Sequence, residues 1–367
     1  MKMWASVFLF FFVVGIGIGY CFNCQNKKAT FIWWPGLLKT VNDERWYQSL
    51  QSEFKKHGYH LEHQNIHFVE DSQIVIWAYP KGDLTRVSSE QYVVAWLMES
   101  PISLKQPLSN KDDQKFDLIL TWRKDLTEQK KYFFAPIFTG IYEVNPQYWN
   151  EQKTVLVSQI ATHYKGGVYD ERSIATKWFL ENKPEDFQLY GGGWNSIKNE
   201  LSEKAQKAFE RQYGGYVKDK LKVVSQSKFV LAYENAIQDD YVTEKMYDIL
   251  QAGAVPIYLG APNVKQHVPE ECFINKNDFK TYDELYAFLK NMDDKTYDDY
   301  RQCAYNFVKQ EKIWQNNVVK QVAHRIFDTK EKDFADIWNE FLIGVINFIK
   351  GPLKGWVYDK SNGIRLF

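Results

Sequence analysis

The chain has 367 residues, and its 46 Lys and Arg are matched by 46 Asp and Glu, so it carries no net charge. That balance excludes the basic excess by which a protein attracts nucleic-acid phosphate, so no nucleic-acid partner is expected, and it offers no bulk attraction to an anionic membrane. With 45% hydrophobic and 25% charged residues, the chain is ordinary globular material, long enough for two compact domains.

Met3 to Phe22 contains no charged residue and is about the length that spans a bilayer as a helix. We read residues 1–26 as an uncleaved membrane anchor with a short polar spacer, the anchor spanning residues 3–22. A signal peptide is the rival reading, and Gly17-Ile18-Gly19 offers it only a marginal cleavage site. Lys2 precedes the stretch and Lys27 and Lys28 follow it, so the charge rule for orientation is weakly expressed.

The body then alternates apolar runs with helical periodicities. Ala29 to Trp34, Ser72 to Ala78, Tyr92 to Met98 and Phe116 to Thr121 read as strands, and Trp46 to His57 as a helix with Trp46, Leu50 and Phe54 on one face. This order predicts a parallel sheet within a first domain, 27–152. The polar segment Tyr142 to Lys153 marks its end. A second domain, 153–330, begins with the strand Thr154 to Ser158, followed by a helix over Arg172 to Leu180 and a strand over Phe187 to Tyr190 that leads into Gly191-Gly192-Gly193. Phe229 to Ala232 is a buried-strand run, Glu234 to Asp240 a polar loop, and Thr243 an N-cap. Met246, Ile249 and Leu250 give helical spacing to the stop at Gly253. Ala254 to Leu259 is a further strand, whose Pro256 argues for an edge or a strand start, and Gly260 closes it. Helices are predicted over Tyr282 to Asn291, Tyr300 to Gln310 and Phe334 to Lys350, the last forming a C-terminal segment, 331–367, able to return to the first domain or to lie on a membrane surface.

Aromatic residues reach 17%, which fits sugar-stacking surfaces as well as aromatic cores. The four cysteines are Cys21, Cys24, Cys272 and Cys303. No C-x-x-C pair lies in the folded region, so neither a metal site nor a disulfide framework is indicated, and pairing of Cys272 with Cys303 stays open. No Asp-x-Asp and no Asn-x-Ser/Thr triplet occurs.

The run from Phe229 to Gly260, FVLAYENAIQDDYVTEKMYDILQAGAVPIYLG, resembles the donor-binding motif of the α1,3/4-fucosyltransferases, glycosyltransferase family 10. Phe229, Leu231, Tyr233, Glu234, Asn235, Tyr241, Val242, Thr243, Glu244, Lys245, Gly253-Ala254-Val255-Pro256 and Gly260 carry the likeness without a gap, and a weaker likeness extends from about Phe31 to Ile326. The resemblance implies an α/β fold of the GT-B kind, two Rossmann-like domains facing across a cleft, here behind an N-terminal transmembrane helix. It implies transfer of L-fucose from GDP-β-L-fucose to a hydroxyl of a GlcNAc or Glc residue in an oligosaccharide, glycoprotein or glycolipid, with inversion and an α1,3 linkage. No cofactor or metal is expected. A type II membrane position follows, in the Golgi of a eukaryote or at the cytoplasmic membrane face for a bacterial or viral enzyme. A related transferase using another nucleotide sugar, and an inactive membrane-anchored glycan-binding module, are the alternatives. The extra C-terminal cysteines of vertebrate members are missing here.

Chemistry and resemblance together nominate six residues. Lys245 sits in a first helical turn, where a lysine opposes the helix dipole and an anionic ligand would explain it. A surface lysine paired with Glu244 or Asp248 is the plainer account. Arg172, at a helix start, matches a family arginine that contacts the donor phosphates. Glu244 matches a glutamate near the sugar, where positive charge develops. Asn235 and Tyr241 match donor-contacting positions, although a capping Asn and a half-buried Tyr would look the same. Glu99, in Trp96-Leu97-Met98-Glu99-Ser100-Pro101, resembles part of a W-x-N-x-E-S-P segment whose Asn is absent, and it is the general-base candidate. Glu234 has two readings, loop support or a ribose contact. Gly191-Gly192-Gly193 could admit a nucleotide or form a plain turn. Trp122 and Arg123 are candidates for the acceptor cleft, and His163 is a lone loop histidine.

Overall fold

A computed structural model describes residues 27–32, 45–64, 71–78, 88–100, 113–129, 131–135, 137, 143–164, 169–349, 356–359 and 363–366. The expected anchor over residues 3–22 lies outside them. Among the described residues no helix is long and apolar enough to cross a membrane.

Six parallel strands form the first sheet: β1 (Lys27–Ile32), β2 (Tyr59–Gln64), β3 (Ile74–Ala78), β4 (Tyr92–Leu97), β5 (Leu118–Thr121) and β6 (Tyr132–Phe134), in the order β2-β1-β3-β4-β5-β6. β3 and β5 are buried along their whole length because they are interior strands covered on both faces, which is why their sequences are continuous apolar runs. The edge strand β2 escapes the sequence reading. Its Tyr59 and Leu61 are buried while His60 is exposed, so its signal is a weak alternation rather than an apolar run. Helix α1 (Arg45–Lys56) closes one face, with Trp46, Tyr47, Leu50 and Phe54 buried. The rings of Phe31, Trp46 and Trp96 meet edge to face at 5.7–6.3 Å. These aromatics are core, not sugar platforms.

After the short helix α2 (Pro146–Trp149), a second parallel sheet contains β7 (Val155–Ile160), β8 (Phe187–Tyr190), β9 (Ser227–Tyr233), β10 (Val255–Leu259) and β11 (Ile274–Asn275), in the order β11-β10-β9-β7-β8. Helices α3 (Tyr169–Asn182), α4 (Glu203–Gln212), α5 (Lys220–Ser225) and α6 (Glu244–Gln251) connect these strands. Pro256 pairs with Val230 at the second position of β10, which is an interior strand. The strand-start reading of Pro256 is the right one and the edge reading is not: β10 begins to pair with β11 only at Ile257, so Pro256 costs no ladder bond on that side. Both sheets change direction between their first and third strands, and open α/β sheets bind ligands at the carboxyl ends beside such a switch.

Helix α7 (Tyr282–Lys290) precedes α8 (Asp294–Ile349), which is 56 residues long. The helices expected over Tyr300–Gln310 and Phe334–Lys350 are therefore parts of one, because no proline interrupts it and Gly344 alone does not break it. Its middle buries Phe307 and Val308 beside Tyr247 of the second sheet's α6, then Val318, Val322 and Phe327 against the first sheet's side. Phe327 stacks on His57 at 4.0 Å and meets Phe54 at 4.9 Å. Contact with the first domain is made here; the expected packing of Phe334 to Lys350 falls on side chains outside the described residues. A hairpin of β12 (Trp356–Asp359) and β13 (Gly363–Leu366) follows. Cys272 and Cys303 are disulfide-bonded, with Cα atoms 5.1 Å apart. Spacing alone did not indicate this bridge, since 31 residues and α7 separate the pair and only the packing of α8 brings them together.

Phe327→Ala is expected to lower stability by about 3 kcal/mol, the cost of removing a buried ring that the site cannot refill. Urea denaturation measures it, and a loss under 1 kcal/mol would deny α8 its role as a strut for the first domain.

Candidate functional site

The site grows from the end of β9. Leu259 accepts the Glu234 N–H at 2.8 Å, so the ladder continues one residue beyond Tyr233. The Glu234 side chain then turns inward and has no exposure to water. Its Oε1 accepts from the Thr243 N–H at 2.8 Å and its Oε2 from the Thr243 hydroxyl at 2.7 Å. The Lys245 ammonium lies 3.3 Å from Oε2. Gly260 makes room for this carboxylate: a Cβ there would stand 2.6 Å from Glu234 Cγ and 2.4 Å from the Tyr258 hydroxyl. Thr243 in turn caps α6 by accepting from the Lys245 N–H. Both oxygens of Glu234 are taken by the protein, so of its two readings loop support fits and ribose binding does not.

Burial pushes the Glu234 carboxyl up, with Lys245 opposing it. At Lys245 burial alone would lower the pKa, but the charges of Glu244 and Glu234 raise it above the usual lysine range. Glu244 is half-buried. Desolvation works to raise it, and Lys245 with Lys220 overrides that and holds it down to about 2. The plainer account of Lys245 holds for its pairing with Glu244 and not for Asp248, which pairs with Lys220 at 2.6 Å, and the second carboxylate at Lys245 is the buried Glu234.

Arg172 lies in the first turn of α3, 3% exposed. Its Nε and Nη2 donate to the Tyr233 carbonyl at 3.2 and 2.5 Å, and Nη2 donates to Asn235 Oδ1 at 2.7 Å. Asn235 uses its amide to donate to Glu99 Oε2 at 3.5 Å, and the Tyr241 hydroxyl donates to the same oxygen at 3.2 Å. Glu99 stands two residues beyond β4, so these bonds join the carboxyl ends of the two sheets. Trp122 packs edge to face on Tyr241 at 5.0 Å, in a small cluster with Ile137 and Ala236. Burial and the Glu99 charge push the Tyr241 phenol well above its ordinary pKa, so it stays a hydrogen-bond donor. All six nominated residues meet here: Lys245 feels Glu244, Glu234, Arg172 and Glu99.

Other nominated positions serve the frame. Trp122 is buried and Arg123 pairs with Asp125. His163 shares a hydrogen bond with the Ser196 hydroxyl at 2.9 Å and lies against Trp194. Gly191 is needed because its φ is +109° and a Cβ would fall 2.0 Å from the Ala161 carbonyl, so the close approach is to the protein's own chain. Asp240 escaped the sequence reading, since one acid in a polar loop carries no periodic signal. Among the described residues no group of three or more His, Cys, Asp or Glu could hold a metal ion.

Lys245 with its partners Glu234 and Glu244, Arg172 held on the Tyr233 carbonyl and Asn235, and a neutral phenol thus line one side of a junction whose other side presents a carboxylate. The arrangement can receive an anion at the partly exposed Lys245, with the buried Arg172 charge behind it, while a base stands opposite.

Residues 195–333 match the family model described as glycosyltransferase family 10 (fucosyltransferase), C-terminal part. A 4-galactosyl-N-acetylglucosaminide 3-alpha-L-fucosyltransferase 9 from Bos taurus is 29% identical over 317 residues, 82% of this chain and 78% of that one. The protein of the same name from Mus musculus is 29% identical over 241 residues, 62% of this chain and 58% of its own length. The crystal structure of an alpha1,3-fucosyltransferase superposes with a TM-score of 0.51 at 19% identity, covering 83% of this chain and 90% of that one. That likeness is one of fold, and with the two parallel sheets above it makes the architecture GT-B-like.

Because Glu244 is held at about 2 against an ordinary 4.5, its contribution to stability is present above pH 4.5 and lost as pH falls toward 2. Its partial exposure tempers the effect, and we expect about 2 kcal/mol. Glu244→Gln should flatten the urea midpoint across that window, and an unchanged slope would show that Lys245 and Lys220 do not hold this carboxylate.

Proposed function

We propose that this chain, whose residues 195–333 carry the C-terminal domain of glycosyltransferase family 10, transfers L-fucose from GDP-β-L-fucose to a glycan. The acceptor is a hydroxyl of a GlcNAc or Glc residue, the anomeric configuration inverts, and the product linkage is α1,3. The observation that carries this reading is the meeting of Glu99 from one sheet with Asn235, Tyr241, Arg172 and Lys245 from the other.

In this mechanism the acceptor oxygen attacks the fucose anomeric carbon, and its proton passes to the Glu99 carboxylate. The bond to the β-phosphate oxygen breaks and its electron pair leaves with GDP. Lys245 and Arg172 neutralise the departing pyrophosphate, a preorganised charge that needs no reorganisation at the moment of reaction. Asn235 and Tyr241 hydrogen-bond the Glu99 carboxylate and so orient the base beside the donor. Glu244, ionised at neutral pH, supports the positive charge that develops on the sugar. Because two protein cations attend the leaving group, transfer proceeds without a divalent metal.

The uncharged residues 3–22 support a type II anchor. The Cys272–Cys303 bridge favours the oxidising, lumenal side of a secretory membrane such as the Golgi over a cytoplasmic face.

The test uses the detergent-solubilised full chain with GDP-fucose, N-acetyllactosamine-type acceptors and EDTA, following GDP release. Glu99→Gln should lower acceptor-dependent turnover roughly 10²–10⁴-fold while GDP-fucose still binds. Lys245→Ala should weaken donor binding as well as turnover. Loss of all turnover in EDTA, or full activity in Glu99→Gln, would overturn the corresponding assignment.

A further inference from the structure

Between Asn235 and Tyr241, two residues of the site, the chain makes one unusual turn. Asp240 has φ +64°, and it is the single non-glycine residue with positive φ among those described. Aspartate tolerates this left-handed conformation at a cost, and such a residue persists only where its surroundings over-determine it. Here they do. The Asp240 N–H donates to Asn263 Oδ1 at 2.8 Å, and the Asn263 amide returns a bond to Asp240 Oδ1 at 3.0 Å. His267 Nε2 reaches the same oxygen at 3.0 Å. The Asp240 carbonyl accepts from the Val242 N–H at 3.0 Å, which tightens the chain around Tyr241.

A further contact comes from the other sheet. The Lys124 ammonium, in the turn after β5, lies 3.4 Å from Asp240 Oδ1. Its direction is set by the Phe134 ring of β6, over which it sits at 5.2 Å. Lys124 is two residues from Trp122, which packs on Tyr241. One side chain is thus gripped by two residues of its own domain and by one across the junction, immediately before the tyrosine that bonds Glu99.

We propose that Asp240 is a positioning residue: fixed by Asn263 and His267 and tied across the junction by Lys124, it sets the Tyr241 hydroxyl against Glu99. Seating of the base on the donor loop is thereby coupled to docking of the two sheets. This rests on the transferase reading above, with Glu99 as base. Asp240 itself touches no reacting atom. Its loss slows the proton-transfer step and leaves the cations that hold the donor in place.

The experiment compares Asp240→Ala, Asp240→Asn and Lys124→Met in the full chain. Turnover is followed by GDP release, and GDP affinity by calorimetry. Asn keeps the oxygen and the tolerance of positive φ and removes the charge. Asp240→Ala should lower kcat about 30-fold or more, since a displacement of about 1 Å at a reacting group can cost 10²-fold. GDP affinity and the donor KM should stay within about 3-fold. Asp240→Asn should recover most of the loss, and Lys124→Met should resemble it, with no further loss when the two are combined. A role confined to folding would instead lower the melting temperature and raise the donor KM together, without rescue by Asn. That result, an unaffected kcat in Asp240→Ala, or additive losses from Lys124→Met and Asp240→Asn would overturn the inference. If the unaltered chain transfers no fucose, the transferase reading falls. The pair is then judged by urea denaturation alone: non-additive midpoint shifts for Lys124→Met and Asp240→Asn support the latch, and additive shifts refute it.

Discussion

A carboxylate with no access to water is tolerated only when every oxygen is occupied, and Glu234 meets that condition through Thr243 and Lys245. Much of the site follows from it. By holding the Thr243 backbone and hydroxyl, Glu234 sets where α6 begins and so which residues fall in its first turn. That turn offers Glu244 and Lys245 together at the carboxyl end of the sheet. The lysine opposes the helix dipole, and the two neighbouring carboxylates keep it charged despite its burial.

The same geometry explains why Arg172 can sit almost wholly inside the protein. It is bonded to the Tyr233 carbonyl and to Asn235, and so stands on the strand that delivers Glu234. Cation, amide, carboxylate and phenol form one connected path from Arg172 to Tyr241, crossing between sheets at Glu99. The path requires that the sheets be held in one relation. Helix α8 contributes to this, burying Phe307 beside the second sheet's helix and Phe327 beside the first. The Lys124–Asp240 pair adds a contact at the junction itself.

The proposed transfer asks for charge that is already in place when a pyrophosphate leaves. Buried ion pairs are a costly way to store it, because each ion loses its water. The cost is offset here by satisfying each group several times over. Such a network is rigid and changes little in response to a ligand, which suits stabilisation of a departing anion.

Much of the architecture was legible in the sequence. Continuous apolar runs are what fully buried parallel strands require, so β1, β3, β4, β5, β7, β9 and β10 stood out; the edge strand β8 was found too, with Phe187 and Leu189 alternating inward, and Thr243, Gly253 and the first turn of α6 followed from cap chemistry. The six candidate residues, which the fold brings to one junction, were named from residue type and from likeness to a family motif. The edge strand β2 was not legible because its polar outward side chains dilute the apolar signal, and β6 because it is only three residues long. Nor was the unbroken length of α8, or the Cys272–Cys303 bridge, which exists only because α8 packs where it does. Asp240 shows the same limit most sharply. Its left-handed backbone and its contact with Lys124 depend on residues 23, 27 and 116 positions away in the chain. Local pattern determines which segments become strands and helices and which groups could bear charge. Which of those groups touch is decided by the packing of distant segments, since hydrogen bonds and ion pairs act over a few ångströms of space whatever the separation along the chain.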